Sequence, residues 1–354
     1  MKEYFVIGLM SGTSLDGLDI AYCCFSFKES WNYKILAFET VSYSNSFKEL
    51  LRNAPSLDAN SISTLSDDFG VFMADNLKGF IADNAIQTID LIASHGHTVF
   101  HQPEKGITLQ IGSPKPIFDL LKVPVAYDFR ALDVQLGGQG APLVPFVDHF
   151  LFSEYDACLN LGGFSNISFN IEDKRLAFDI CPVNIVLNLS ANKLGLDFDN
   201  KGALAANGQV YIPLLEKLNN LDYYAKSLPK SLGWEWVQET IIPMIEKEDL
   251  SELDVLRTYT EHAAMQMVCV FREYDLETIF VSGGGVYNAF LLSRMKALSP
   301  DLSLKMDSKL IESKEAMAFA FLGLMKMKNQ TNVLSSVTGS VKDHCSGKIF
   351  PEEL

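Results

Sequence analysis

The stretch Gly8-Leu9-Met10-Ser11-Gly12-Thr13-Ser14-Leu15-Asp16-Gly17-Leu18-Asp19-Ile20-Ala21 joins two apolar runs, residues 4–10 and 18–25, and reads as strand, turn, strand. A further β-prone segment at 35–43 extends this opening into a meander. The turn between the first two strands is small and polar. Such a turn can aim several N–H groups and hydroxyls at a phosphate, while a nearby Asp holds a magnesium ion directly or through water. It can equally be a Gly/Ser/Asp hairpin with no ligand.

Outward from this stretch the pattern repeats. A helix is predicted over 61–84 and a short strand at 91–94. Residues 157–161 then read as a strand, Gly162-Gly163 as a turn, 167–171 and 176–180 as two more strands, and 182–193 as a helix. Two meander-then-helix copies predict two related lobes facing each other across a cleft. The last third is mainly helical, clearest at 253–273 and 313–328, with a strand at 278–282 running into Gly283-Gly284-Gly285. The second loop, Asn160-Leu161-Gly162-Gly163-Phe164-Ser165-Asn166, and the third, Ser282-Gly283-Gly284-Gly285-Val286-Tyr287-Asn288, share the character of the first, and glycine lets backbone approach a nucleotide closely. Neither G-x-x-x-x-G-K-[ST] nor a strand-borne G-x-G-x-x-G is present, so P-loop and Rossmann readings lose their usual support.

Length and composition agree with two folded lobes. The chain has 354 residues, 48% hydrophobic and 21% charged, which excludes a disordered chain. Its 29 basic and 44 acidic side chains leave a net charge of −15, so nucleic acid and anionic membrane are poor partners. ATP is not excluded, because N–H groups and helix N-termini supply local positive potential. The opening lacks the basic flank and long apolar region of a secretory signal, no stretch reaches a membrane span, and the six cysteines are scattered without zinc spacing. A reduced, cytoplasmic location is the expectation.

Three glycine turns, each after a strand and spread over two meanders, resemble in order the first phosphate, second phosphate and adenosine loops of the actin, hexokinase and Hsp70 superfamily. That resemblance implies an α/β fold of two ribonuclease H-like lobes, each a mixed sheet with flanking helices, around a central ATP and sugar cleft. Residues 1–130 with a tail of about 338–354 would form one lobe and 131–337 the other. The string GLMSGTSLDGLDIA at 8–21 resembles the opening signature of the anhydro-N-acetylmuramic acid kinase family. Further matches follow in family order: Ser94-His95-Gly96-His97-Thr98-Val99-Phe100-His101, then Asp128-Phe129-Arg130-Ala131-Leu132-Asp133 with Gly137-Gly138-Gln139-Gly140-Ala141-Pro142-Leu143, and the third loop, the likeness reaching Thr338-Gly339.

The resemblance implies ATP and Mg2+ as cofactors and 1,6-anhydro-N-acetylmuramic acid as substrate, opened by water and phosphorylated on O6 for cell-wall recycling, by a homodimer. It puts nucleotide contacts at Gly8, Ser11, Gly12, Thr13, Ser14, Asp16, Gly17, Asp19, Gly162, Gly163, Asn166, Gly283, Gly284, Gly285 and Asn288, with Asp16 or Asp19 nearest the metal. Asp179, in Phe178-Asp179-Ile180-Cys181-Pro182-Val183-Asn184, matches the family's catalytic aspartate, although the commoner form reads D-T-G-P-G-N. A carboxylate there would take a proton from the attacking water, and phosphate would capture O6. A helix cap is its bland reading.

Ser94, His95 and Thr98 are read as polar lining of the sugar pocket, with a surface loop as the alternative. Asp128 and Arg130 are sugar contacts, Arg130 reaching the lactyl carboxylate, or else a structural ion pair. Glu315 is a second carboxylate toward the sugar, or a charge at a helix start. A metal on His95, His97 and His101 would need alternate strand residues to share a face; the family form has Gln where His97 stands. Two other classes remain: a nucleotide-dependent binding module without turnover, and a glycoside hydrolase using Asp179 and Glu315 without ATP.

Overall fold

The computed structural model of the protein describes residues 2–12 and 15–352. Among the described residues the strands are, in chain order, β1 (Glu3–Ser11), β2 (Gly17–Phe27), β3 (Trp31–Ser42), β4 (Leu91–Gln102), β5 (Ile107–Ile111), β6 (Val125–Tyr127), β7 (Ala157–Leu161), β8 (Phe164–Ile171), β9 (Lys174–Pro182), β10 (Thr278–Ser282), β11 (Ser303–Lys305) and β12 (Lys348–Phe350). They form two sheets, and the chain divides into two units: residues up to Leu151 with those from Ser313 on, and Phe152–Glu312.

The first sheet has the order β12-β6-β4-β1-β2-β3, with β5 added to β4. β2 runs antiparallel to β1 and to β3, whereas β4 is parallel to β1 and to β6. Alternation along β1 decides which face each residue serves. Ile7 and Leu9 enter a core with Phe69, Met73, Leu77 and Phe80 of the helix Ala59–Asp83, whose N-cap Asp58 accepts from Ser61 N–H at 2.8 Å. Gly8 faces the other way, against Ala316 of the helix Ser308–Met327. Each fully buried Phe in such a core contributes roughly 1.5–3 kcal/mol.

The second sheet, β11-β10-β7-β8-β9, repeats the arrangement. β8 is antiparallel to β7 and to β9, and β10 is parallel to β7 and to β11. In both units the strands lie in the order third, second, first, fourth, fifth once the short β5 and β12 are set aside. That is the ribonuclease H-like sheet, present twice.

The division falls at 151/152 and 312/313, where the sequence placed it at 130/131 and about 337/338. Packing gives the reason. The helix Val144–Leu151 meets the helix Ser308–Met327 through Phe146 and Phe321, 6.1 Å between ring centroids, and Phe321 lies 5.4 Å from Phe25 of β2. A buried pair, Lys314 Nζ to Asp148 Oδ1 at 2.8 Å, joins the same two helices. Both helices therefore belong with the first sheet. No helix among the described residues is long and apolar enough to cross a membrane.

Candidate active site

In the first unit the strands flanking the β1–β2 turn bury three of the predicted ligand residues, Gly8, Ser11 and Gly17. Ser11 is buried; its Oγ accepts from Tyr43 OH at 2.7 Å and lies 2.9 Å from His97 Nδ1. A Cβ on Gly8 would overlap the Ala316 carbonyl, and one on Gly17 would stand 2.5 Å from the Val41 oxygen. Packing alone therefore requires glycine at both. Gly12 closes the turn, accepting from Leu15 N–H at 3.3 Å. Asp16 is exposed, and half-buried Asp19 accepts from Thr40 Oγ1 at 2.6 Å. Thr13 and Ser14 lie outside the described residues. No group of three metal-ligating side chains occurs among the described residues, but magnesium usually needs only one or two carboxylates beside phosphate and water. Asp16 and Asp19 fit that requirement.

β4 was expected to stop at Ser94 and instead runs to Gln102, hairpinned to β5. Gly96 has φ +72°, a left-handed residue inside a strand, and it breaks the alternation on which a shared histidine face depends. His95 packs on Phe319 (centroids 4.6 Å), whereas His97 meets Phe69 (6.4 Å) from the helix on the opposite sheet face. Each histidine has a hydrogen-bonding task. His95 Nδ1 lies 2.9 Å from the Gly96 carbonyl, which only accepts, and His95 Nε2 receives Arg130 Nε at 2.9 Å. The ring is thus a neutral Nδ1–H tautomer. Burial, then Arg130, holds its pKa well below the usual value; burial takes His97 down to about 4. His101 Nδ1 lies 3.2 Å from Thr108 Oγ1.

Arg130 is the polar centre of this unit. Its Nη1 donates to the Gly140 carbonyl at 2.7 Å, so neutral acceptors orient the guanidinium. Burial brings its pKa down to about 10, opposed by Glu315 and then Asp133. Glu315 is solvent-accessible yet ringed by protein; that desolvation raises its carboxyl, while Arg130 and then Lys314 lower it. Asp128, in contrast, pairs with Lys348 Nζ at 2.9 Å, the structural ion pair that was the alternative for this segment. Buried Ser94 Oγ accepts Gly96 N–H at 3.1 Å, and Thr98 Oγ1 accepts from Gln110 at 3.4 Å. Asp133 had no assigned role. Fully buried, it accepts Gly140 N–H at 2.6 Å and Thr338 Oγ1 at 2.7 Å, fixing the turn whose carbonyl holds Arg130.

In the second unit the three elements of the sequence reading come together. Asn160 Nδ2 donates to Asn166 Oδ1 at 3.1 Å, and Asn166 Nδ2 donates to Asp179 Oδ1 at 3.2 Å. Asp179 Oδ2 accepts Leu232 N–H at 2.9 Å, a partner that no local pattern announced. Burial raises the Asp179 carboxyl above the ordinary range, and the bonds from Leu232 and then Asn166 lower it in part. The departures from D-T-G-P-G-N have a structural answer: Ile180, Cys181 and Val183 are all buried, and Val183, at φ −130°, needs no glycine. Asp179 does not cap the helix Asn184–Lys193, whose first N–H groups meet the Gly162 and Gly163 carbonyls.

The glycines of the other loops divide in two. Gly283 (φ +83°) and Gly285 would carry a Cβ into Asn160 and Leu161, so protein packing requires them. At Gly162 and Gly163 a Cβ would make only ordinary contacts, at 3.5 and 3.6 Å, and at Gly284 it would meet nothing within 4 Å. No protein neighbour dictates glycine at these three positions, and a bare backbone there suits a nucleotide's close approach. Asn288 is occupied as the N-cap of the helix Ala289–Leu298, accepting Leu291 N–H at 3.0 Å.

Comparison with known proteins agrees along the whole chain. A family model described as anhydro-N-acetylmuramic acid kinase matches residues 4–352. The anhydro-N-acetylmuramic acid kinase of Shewanella baltica (strain OS223) is 34% identical over 374 residues, covering 99% of this chain and 99% of that protein. That of Pseudomonas syringae pv. syringae (strain B728a) is 31% identical over 369 residues, covering 99% and 100%. Among solved structures, the activator of the 2-hydroxyisocaproyl-CoA dehydratase from Clostridium difficile aligns with 92% of this chain and 97% of its own at TM-score 0.44 and 12% identity, too loose a likeness to argue from. On the strength of the full-length match, the chain belongs to the anhydro-N-acetylmuramic acid kinase family.

Proposed function

We propose that the protein is an ATP-dependent kinase that opens 1,6-anhydro-N-acetylmuramic acid with water and places the γ-phosphoryl group on O6, giving N-acetylmuramic acid 6-phosphate. The observation that carries this reading is the Asp179 carboxylate, half-buried, held by two neutral donors and made more basic by its burial. A carboxylate so held keeps its charge for a proton rather than for a salt bridge.

Asp179 takes a proton from a water as the water oxygen bonds to the anomeric carbon. The C1–O6 bond breaks, its electron pair goes to O6, and O6 bonds to the γ-phosphorus as ADP departs with the bridging pair. Arg130, oriented by His95 and Gly140, offers its remaining guanidinium donors to the lactyl carboxylate. Glu315 contacts a sugar hydroxyl. Backbone at Gly162, Gly163 and Gly284 would accept the nucleotide's close approach, and Asp16 and Asp19 would hold magnesium directly or through water. The ion, when bound, neutralises phosphate charge. A cytoplasmic homodimer working in cell-wall recycling completes the proposal.

Mass spectrometry of the product formed from the anhydro sugar, ATP and oxygen-18 water tests it. The expected product carries one labelled oxygen on the anomeric carbon and an unlabelled phosphate ester on O6, with ADP formed only when sugar is present. Ring opening without ATP would mean a hydrolase, and nucleotide binding without any product would mean a binding module.

A further inference from the structure

Besides Asn166, Asp179 is gripped by residues 221–233, a segment of turns and extended chain with no strand or helix of its own. Tyr223 OH donates to the Asp179 carbonyl at 2.6 Å, Leu232 N–H donates to Oδ2 at 2.9 Å, and Asp179 N–H donates to the Lys230 carbonyl at 3.4 Å. The Lys230 ammonium stands over Tyr223 (5.1 Å to the centroid) and Phe178 (5.5 Å), clipping the segment to the strand residue before Asp179.

The next residue anchors the segment elsewhere. Tyr224 OH lies 2.8 Å from Nε2 of His262, which is fully buried in the helix Glu252–Glu273. His262 Nδ1 lies 2.6 Å from Asn219 Oδ1, which also receives Gln266 Nε2 at 2.9 Å. An amide oxygen only accepts, so His262 carries its proton on Nδ1 and takes the Tyr224 hydroxyl proton at Nε2. Behind the segment is a cavity of about 370 Å³ lined by Tyr224, Leu228, Lys230, Phe178, Ile180 and Gln266. Leu221, Tyr224 and Leu228 pack against the second unit's core, and on the cavity side, where close packing is missing, the polar bonds just named fix the segment.

We infer that residues 221–233 are a strap that sets the position of the Asp179 carboxylate, Tyr223 gripping Asp179 and Tyr224 tying the strap to the buried His262. The inference rests on the reading of Asp179 as the base. Both tyrosines are positioning residues acting through Asp179. Their loss therefore lowers kcat, where the carboxylate must reach the water proton, and leaves substrate binding in place.

Tyr223→Phe and Tyr224→Phe in the full chain test the strap by steady-state kinetics, amide hydrogen exchange over 221–233 and thermal melts. The expected result is a kcat lower by about 10- to 100-fold, KM for sugar and ATP within about twofold, and faster exchange at Leu232. A kcat within about twofold of the parent in both variants overturns the inference. So does a lower kcat with unchanged exchange, or a lowered Tm with kcat per folded molecule preserved. Asp179→Asn separates the two readings: if it turns over normally the base reading falls, and if it is dead while both tyrosine variants are unimpaired only the strap falls.

Discussion

The two units share one strand order and use it to hold opposite charges by the same device. In the first, Arg130 is oriented by a neutral imidazole and a carbonyl; in the second, Asp179 is oriented by an amide and a backbone N–H. Neither takes part in the ion pairs found among the described residues, unlike Asp128 with Lys348 or Asp148 with Lys314. A charge held by neutral partners stays available to a ligand, whereas one already paired serves the fold. The duplication thus supplied two scaffolds of one kind, and local hydrogen bonding left one presenting a guanidinium and the other a carboxylate, each oriented by neutral partners.

The strongest way to break this comparison is at Asp179. Asp179→Asn should lower kcat by about 10²- to 10⁴-fold, the usual worth of a general base, with affinity for a non-hydrolysable ATP analogue unchanged by calorimetry. Retained turnover would remove the base from the second unit. Arg130→Ala comes next. Loss of a charge-assisted bond worth about 1.5–3 kcal/mol should raise the sugar KM by roughly 10- to 100-fold. Kinetics with 1,6-anhydro-N-acetylglucosamine, which has no lactyl carboxylate, should show no such rise; an equal loss on both sugars would make Arg130 a fold residue.

The glycines sharpen the contrast at smaller scale. Gly8→Ala drives a methyl into the Ala316 backbone and should cost about 1–3 kcal/mol of stability in denaturant unfolding. Gly284→Ala, with open space around it, should change stability by under about 0.5 kcal/mol and weaken nucleotide binding instead.

The smallest effect is linked to pH. Burial raises the Asp179 carboxyl, so folding favours its protonated form. That contribution is full below the unfolded carboxylate pKa of about 3.9 and is lost as pH rises through the higher folded value. At neutral pH Asp179→Asn should therefore melt at the same temperature as the parent or higher, the difference closing in acid. Activity has the opposite dependence, falling as pH drops through that raised pKa.

Much of this was legible locally. β7 and β10 have the predicted bounds, since short apolar runs stopped by glycine leave little choice of register. A local reading stops β4 at Ser94 because Ser-His-Gly-His-Thr has the composition of a polar loop; pairing with β1 at Ser94 and His97, the left-handed Gly96 and pairing with β5 from His97 on keep these residues in a strand. The strap escaped notice because nothing in residues 221–233 has a period, and its contacts with Asp179 close over more than forty residues of chain.

By itself the sequence determined the two meanders, their glycine turns and the identity of the carboxylates and guanidinium available for chemistry, because periodicity and turn propensity act between near neighbours. Tertiary structure alone decided which charges were neutralised. Lys348 reached Asp128, no acid among the described residues reached Arg130 at bonding distance, and Ser11 turned toward Tyr43. Electrostatic partnership depends on distances of a few ångströms between residues far apart in the chain, and only the folded packing sets those distances.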